Sequence, residues 1–162
     1  MYEGNVREGI RAAKYARCSV PAEALAERLW DAIRGKWSDL FLDGFRPTIV
    51  PVPIRPWKYF RRGFNLPALV GSALSRRTTW PFDPRILRRS GGNPPQAGLT
   101  LEARLGNVRG AFHAKAGIPA PSGALLLDDV YTSGATAREA AHALKTAGSK
   151  NIVVLTVART VP

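Results

Sequence analysis

Ala124-Leu125-Leu126-Leu127-Asp128-Asp129-Val130-Tyr131-Thr132-Ser133-Gly134-Ala135-Thr136 is the stretch that decides the fold. Leu125 to Leu127 form a continuous apolar run, the pattern of a central parallel strand covered on both faces. Asp128 and Asp129 fall where that strand would end, at the carboxyl edge of an open sheet, where α/β proteins bind ligands. Thr132, Ser133, Gly134 and Thr136 then supply hydroxyls and a backbone eased by glycine. Thr136 and Glu139 have the T-x-x-E spacing of a capping box, so a helix is expected to start there. Its free N–H groups and positive dipole end favour a phosphate. Carboxylates repel a bare phosphate. They fit if they hold sugar hydroxyls or reach the ligand through Mg²⁺. The implied ligand is a phosphorylated sugar with free hydroxyls. The competing reading is a solvated Asp pair ahead of an ordinary capped helix.

Downstream, the helix begun at Thr136 should end near Gly148, a suitable residue just past a helix C-terminus. Asn151 to Ala158 reads as the last strand. Upstream, Thr48 to Ile54 contains a short buried strand at Ile49 and Val50, made irregular by Pro51 and Pro53. Arg55 to Asn65 interleaves cations with aromatic residues. It reads either as a pyrophosphate clamp or as a platform that stacks single-stranded nucleic acid, against a plain loop with inward rings. Pro67 to Arg77 reads as a helix with Ala68, Leu69, Ala73 and Leu74 on its apolar face. A strand around Ile86 and Leu87 should rejoin the sheet. The Gly- and Pro-rich run Ser90 to Leu99, flanked by Arg88, Arg89 and Arg104, has the composition of a lid over an anionic ligand or of a surface loop. Thr100 to about Asn107 is expected to be a short helix. Before the first strand, residues 2–17 have near-helical spacing. From Ala22 to about Trp37, Leu25, Ala26, Leu29, Trp30 and Ile33 mark an amphipathic helix, with Trp30 and Trp37 as core or docking residues. The strand-helix alternation argues for a parallel sheet.

The 162 residues suffice for one domain with a core, and 45% hydrophobic content with 22% charge is ordinary for a globular chain. No apolar run approaches a membrane span, and the N-terminus lacks a signal-peptide stretch. With a single cysteine, Cys18, there is no internal disulfide and no multi-cysteine metal site. These features point to a cytoplasmic protein. The net charge of +12 points to anionic partners, nucleic acid among them, unless the arginines serve only as solvated surface.

The central stretch resembles the 5-phosphoribosyl-1-pyrophosphate (PRPP) motif of type I phosphoribosyltransferases. Val50-Pro51-Val52-Pro53, Arg62-Gly63-Phe64-Asn65, Gln96 with Leu99, Arg104 and Asn107, Gly110-Ala111-Phe112, the Asp128-Asp129 motif and Thr156-Val157-Ala158-Arg159 together resemble the ComF (competence protein F) family. The resemblance implies a three-layer α/β fold with a central parallel sheet of about five strands and helices on both faces. It implies an N-terminal helical or hood segment over 1–47 and a phosphoribosyltransferase-like core over 48–162, in one compact domain. It further implies that Asp128 and Asp129 bind ribose hydroxyls and Mg²⁺ at the catalytic centre. Tyr131, Thr132, Ser133, Gly134, Ala135 and Thr136 would wrap the 5-phosphate. Pro53, Ile54, Arg55 and Lys58 would meet the pyrophosphate, and Arg88, Arg89, Gln96 and Arg104 would belong to the lid. The family is linked to DNA uptake, so competence or DNA-processing proteins are implied partners. Many members carry an N-terminal zinc module with paired cysteines, which these residues lack. Purine-salvage relatives place a carboxylate base in the phosphate loop where Thr132 stands here, which argues against a base-assisted purine reaction.

Overall fold

The computed structural model describes residues 20–36, 38–90 and 108–159. The expected helices over 2–17 and Thr100–Asn107, Trp37, Cys18 and the lid residues Gln96 and Arg104 lie outside the described residues.

The apolar run folds as read. Strand β4 (Gly123–Tyr131) has Leu125, Leu126 and Leu127 fully buried. It lies between β1 (Thr48–Pro51) and β5 (Asn151–Arg159), parallel to both, with Ile49 opposite Leu125 and Leu127 opposite Leu155. The sheet therefore has three parallel strands among the described residues, not the expected five. A single parallel bridge, Ile49 to Phe82, extends it past β1 by one residue. The segment around Ile86 and Leu87 does not rejoin this sheet. Strand β2 (Leu87–Arg89) pairs antiparallel with β3 (Phe112–Ala114) in a separate two-stranded ribbon.

Alternation along the strands divides the core. On one face Ile49, Leu125, Leu127 and Leu155 pack against α1 (Val20–Lys36) and α3 (Leu66–Thr78) through Leu25, Ala26, Leu29, Ile33, Val70 and Leu74. On the other, Val50, Val52, Ala124 and Leu126 meet α4 (Ala135–Thr146) and the ribbon, through Ala140, Leu144, Leu87 and Phe112. The result is three layers with helices on both faces, as the run of leucines demands. Trp30 packs edge-on against Trp80 at 5.9 Å between centroids, and Phe41, from the 3-10 segment Ser38–Gly44, stacks on the same ring at 5.0 Å. Trp30 is thus a core residue, in line with its spacing. The α1–α3 seam is closed at its rim by ion pairs Arg76–Glu23 and Arg77–Glu27.

Two local features set the strand tips. Gly71 lets α3 approach β1: a Cβ there would lie 2.9 Å from the Phe82 ring and 3.1 Å from the Ile49 side chain. Beyond β1, the Val52 amide still donates to the Leu127 carbonyl at 2.8 Å, and the Asn65 side-chain amide donates to the Val52 carbonyl at 3.1 Å. The chain carrying Pro53 and Ile54 is therefore pinned alongside the end of β4.

Candidate functional site at the carboxyl edge of the sheet

Three elements converge at the end of β4. The first is the acid pair. Asp128 lies on the strand face shared by Ala124 and Leu126, and only 7% of it is exposed. Its carboxylate accepts a hydrogen bond from the Asp129 amide at 2.8 Å, and Asp129 accepts one from the Val130 amide at 2.8 Å. Burial is the main force raising the Asp128 pKa, to about 6, with the neighbouring Asp129 charge adding to it. Arg89 pulls in the opposite direction but does not cancel the burial.

The second element is a basic cluster from two separate segments. Helix α2 (Pro56–Arg62) follows Arg55, which stands just before its first turn, with Pro56 at a position where the missing N–H costs nothing. Lys58, half-buried on α2, has its pKa lowered by burial and then by the charges of Arg62, Arg89 and Arg55, while Asp129 opposes. Arg89 comes from β2 on the opposite side. Burial and Arg55 lower its pKa to about 10, and Asp128 opposes. Its guanidinium sits over the Phe112 ring, 4.8 Å from the centroid. Arg55, Lys58, Arg62 and Arg89 are therefore close enough to repel one another, and both aspartates act on the same group. Such a concentration of like charge is costly unless an anion arrives.

The third element is the loop from Tyr131 to Thr136. Gly134 takes the left-handed conformation, φ 73°, and caps α4 with no side-chain hydrogen bond to the helix. The ring of Tyr131 folds back over Gly134 so closely that a Cβ there would overlap its hydroxyl. Arg159, opposite Tyr131 on β5, stands 5.5 Å from that ring's centroid. Tyr131 is thus a wall of the loop. Thr132 and Ser133 are exposed, and Ser133 Oγ accepts a long contact from the Ala135 amide at 3.4 Å.

The expected capping box does not form. Helix α4 begins at Ala135, one residue earlier, so Thr136 lies inside it. Glu139 instead accepts a hydrogen bond from the Gly110 amide at 2.8 Å and ties α4 to the turn before β3. That tertiary contact outcompetes the local one.

Most of the candidate residues gather here. Asp128, Asp129, Arg55, Lys58 and Arg89 act on one another, and Pro53 and Ile54 run beside them half-buried. Arg88 does not join: it alternates with Arg89 on the ribbon and is exposed, opposite His113. Arg62 joins although only its place in a motif drew attention to it, and Arg159 joins as the partner of Tyr131. Sequence alone could have found Arg62, four residues after Lys58 and so on the same side of a helix, had the run been read as helical.

For Mg²⁺, the donor set is a pair of adjacent carboxylates. No group of three or more His, Cys, Asp or Glu side chains that could hold a metal occurs among the described residues. Mg²⁺ keeps waters and takes one or two carboxylates plus substrate oxygens, so the pair suits it better than an all-protein cage would. The raised pKa of Asp128 marks negative charge that a cation would relieve.

No family model matches the chain. Among solved structures, an adenine phosphoribosyltransferase superposes with a TM-score of 0.52, covering 85% of this chain and 71% of the other at 19% identity. The fold is thus of the phosphoribosyltransferase type. Among curated proteins, competence protein F of Haemophilus influenzae is 34% identical over 69% of this chain and 50% of its own length. Competence protein ComFC of Streptococcus pneumoniae is 31% identical over 68% and 47%. The DNA utilization protein YhgH of Escherichia coli O157:H7 is 30% identical over 69% and 49%. The chain is a ComF-type protein, homologous to competence protein F and ComFC, on a phosphoribosyltransferase-like fold. It spans about half the length of these curated relatives.

Proposed function

We propose that the chain binds PRPP at the carboxyl edge of its sheet and, with Mg²⁺, transfers the phosphoribosyl group to an acceptor in the setting of DNA uptake. One observation carries this reading. A carboxylate pair whose first member is buried, a loop with exposed Thr132 and Ser133 ahead of a helix start, and four crowded cations meet at one strand end, and a phosphorylated sugar carrying a pyrophosphate has a complementary group for each.

In this reading the Tyr131–Thr136 loop holds the 5-phosphate at the start of α4. Asp128 and Asp129 accept hydrogen bonds from the ribose hydroxyls and would hold Mg²⁺. Arg55, Lys58, Arg62 and Arg89 face the pyrophosphate. Mg²⁺, when bound, adds charge neutralisation on the pyrophosphate oxygens. The C1–O bond breaks with its electron pair leaving on pyrophosphate. The lone pair of an acceptor nitrogen forms the new C1 bond, and that nitrogen gives its proton to solvent. The cations stabilise charge that develops on the leaving group, so their effect belongs to the transition state as well as to binding. Thr132 offers no carboxylate to deprotonate an acceptor.

The test is calorimetric titration of PRPP with and without Mg²⁺, beside ribose 5-phosphate. Mg²⁺-dependent heat for PRPP is the expected result. Absence of any PRPP binding removes the proposal.

A further inference from the structure

The two ends of the proposed site are charged unequally. Arg55, Lys58, Arg62 and Arg89 crowd one end, around the aspartates. At the other, Thr132 to Ala137 carry no charge, and Gly134 starts α4 without a side-chain cap. A phosphomonoester bears about −1.5 to −2 charges near neutral pH, so backbone amides and hydroxyls alone would face it there. The sheet brings one more cation to this end. Strands β4 and β5 run parallel, so both end at the edge where the loop lies, and Arg159, the last residue of β5, is opposite Tyr131. Its guanidinium carbon stands over the Tyr131 ring, 5.5 Å from the centroid. Tyr131 in turn covers Gly134, which is buried and left-handed at φ 73°. Contacts therefore run unbroken from an exposed arginine to the first turn of α4.

Arg159 differs from the arginines of the helical layer. Arg76 and Arg77 are matched by Glu23 and Glu27, whereas Arg159 has no carboxylate within ion-pair distance among the described residues. A guanidinium held on a ring keeps its N–H donors for oxygen acceptors, in a fork that fits two phosphate oxygens. We propose that Arg159 binds the 5-phosphate, with Tyr131 as its positioning residue, and makes this end of the site selective for sugars that carry a phosphate. The proposal rests on the PRPP reading for the ligand and adds to it a residue from outside the loop. Arg138, within the first turn of α4, is the competing cation. It is exposed, and among the described residues neither a ring nor a carboxylate holds it.

Calorimetric titration of ribose 5-phosphate, ribose and pyrophosphate into the full chain and its variants tests this. Arg159→Ala should weaken ribose 5-phosphate binding by about 10-fold or more, towards the affinity for ribose, and leave pyrophosphate affinity unchanged. Arg159→Lys, which keeps the charge and loses the fork, should recover part of the loss. Tyr131→Phe should bind as wild type does, and Tyr131→Leu should weaken ribose 5-phosphate binding. Adding Tyr131→Leu to Arg159→Ala should then cost little more, because the ring acts through the guanidinium. Equal ribose 5-phosphate affinity in wild type and Arg159→Ala overturns the proposal. So does a loss that falls equally on pyrophosphate, a loss carried by Arg138→Ala instead, or a wild type that does not bind ribose 5-phosphate. The two readings fail separately. Mg²⁺-dependent PRPP binding that survives Arg159→Ala removes only the role of Arg159. Ribose 5-phosphate binding that needs Arg159, in a chain that does not bind PRPP, removes only the PRPP reading.

Discussion

The α1–α3 layer and the tips of the strands handle charge in opposite ways. In the helical layer, arginines stand opposite glutamates: Arg76 with Glu23 and Arg77 with Glu27, above a seam of Leu25, Leu29, Val70 and Leu74. The side chains of those pairs are 37–61% exposed and the pairs contribute little; the apolar seam beneath them is what holds the layers. At the strand tips, Asp128 is buried with a raised pKa, and Arg89 and Lys58 have lowered ones. The charged forms of these three groups are disfavoured in the free chain. A region that only had to be stable would not be built this way, and such perturbation concentrates at binding sites. Stability is made in one region and given up in the other, where the proposed ligand would recover it.

That contrast can be broken by mutation. Leu74→Ala, in the fully buried seam, should cost about 2–5 kcal/mol by calorimetric unfolding, with PRPP affinity of the folded protein unchanged. Asp128→Asn should do the reverse. The raised pKa, from 3.8 to about 6, corresponds to a penalty on the order of 3 kcal/mol for the ionised buried carboxyl. The variant should therefore be more stable than wild type at neutral pH, by up to that amount, and should lose PRPP binding. A destabilised Asp128→Asn would mean that the site is built like the rest of the fold.

The pH dependence sharpens the point. The folded state holds the Asp128 proton more tightly than the unfolded chain does. The penalty is thus absent below about pH 4, grows as pH rises through the window from 4 to 6, and is complete above it. The stability advantage of Asp128→Asn should shrink on acidification and vanish near pH 4. Mg²⁺-dependent PRPP binding, which needs the ionised carboxylate, should weaken as pH falls through about 6. Lys58→Met should weaken PRPP binding by about 10-fold while leaving the unfolding transition in place. The smallest effect belongs to the helical rim. Glu23→Gln should change stability by less than about 1 kcal/mol, because both partners are well exposed.

Much of this arrangement was legible in the residues. The three leucines fixed a strand buried on both faces, and the Asp pair fell at its carboxyl end. The periodicity of α1 gave its inward face, because single-sided burial leaves a 3.6-residue trace; in α3 Ala73 and Leu74 face inward as expected, but Leu69 is exposed and Val70 takes the buried position instead. What was hidden depended on contacts between distant parts. Ile86 and Leu87 look equally strand-like in the central sheet or in a ribbon with Phe112, since apolar character does not name a partner strand. Glu139 matched a local cap, yet the Gly110 amide was the better donor. Helix α2 left no periodic signal because none of its residues is fully buried, and so Arg62 was not placed beside Lys58. Arg88 and Arg89 are interchangeable as letters; only the alternation of β2 sends one of them to the aspartates.

The account rests on the strand tips being a site for Mg²⁺-dependent PRPP binding. Titration of PRPP into wild type and into Asp128→Asn/Asp129→Asn, with and without Mg²⁺, tests it most directly. The expected result is saturable binding to wild type that needs Mg²⁺, reduced by about 100-fold or more in a variant that still unfolds cooperatively. Equal affinity for the two proteins would contradict the account.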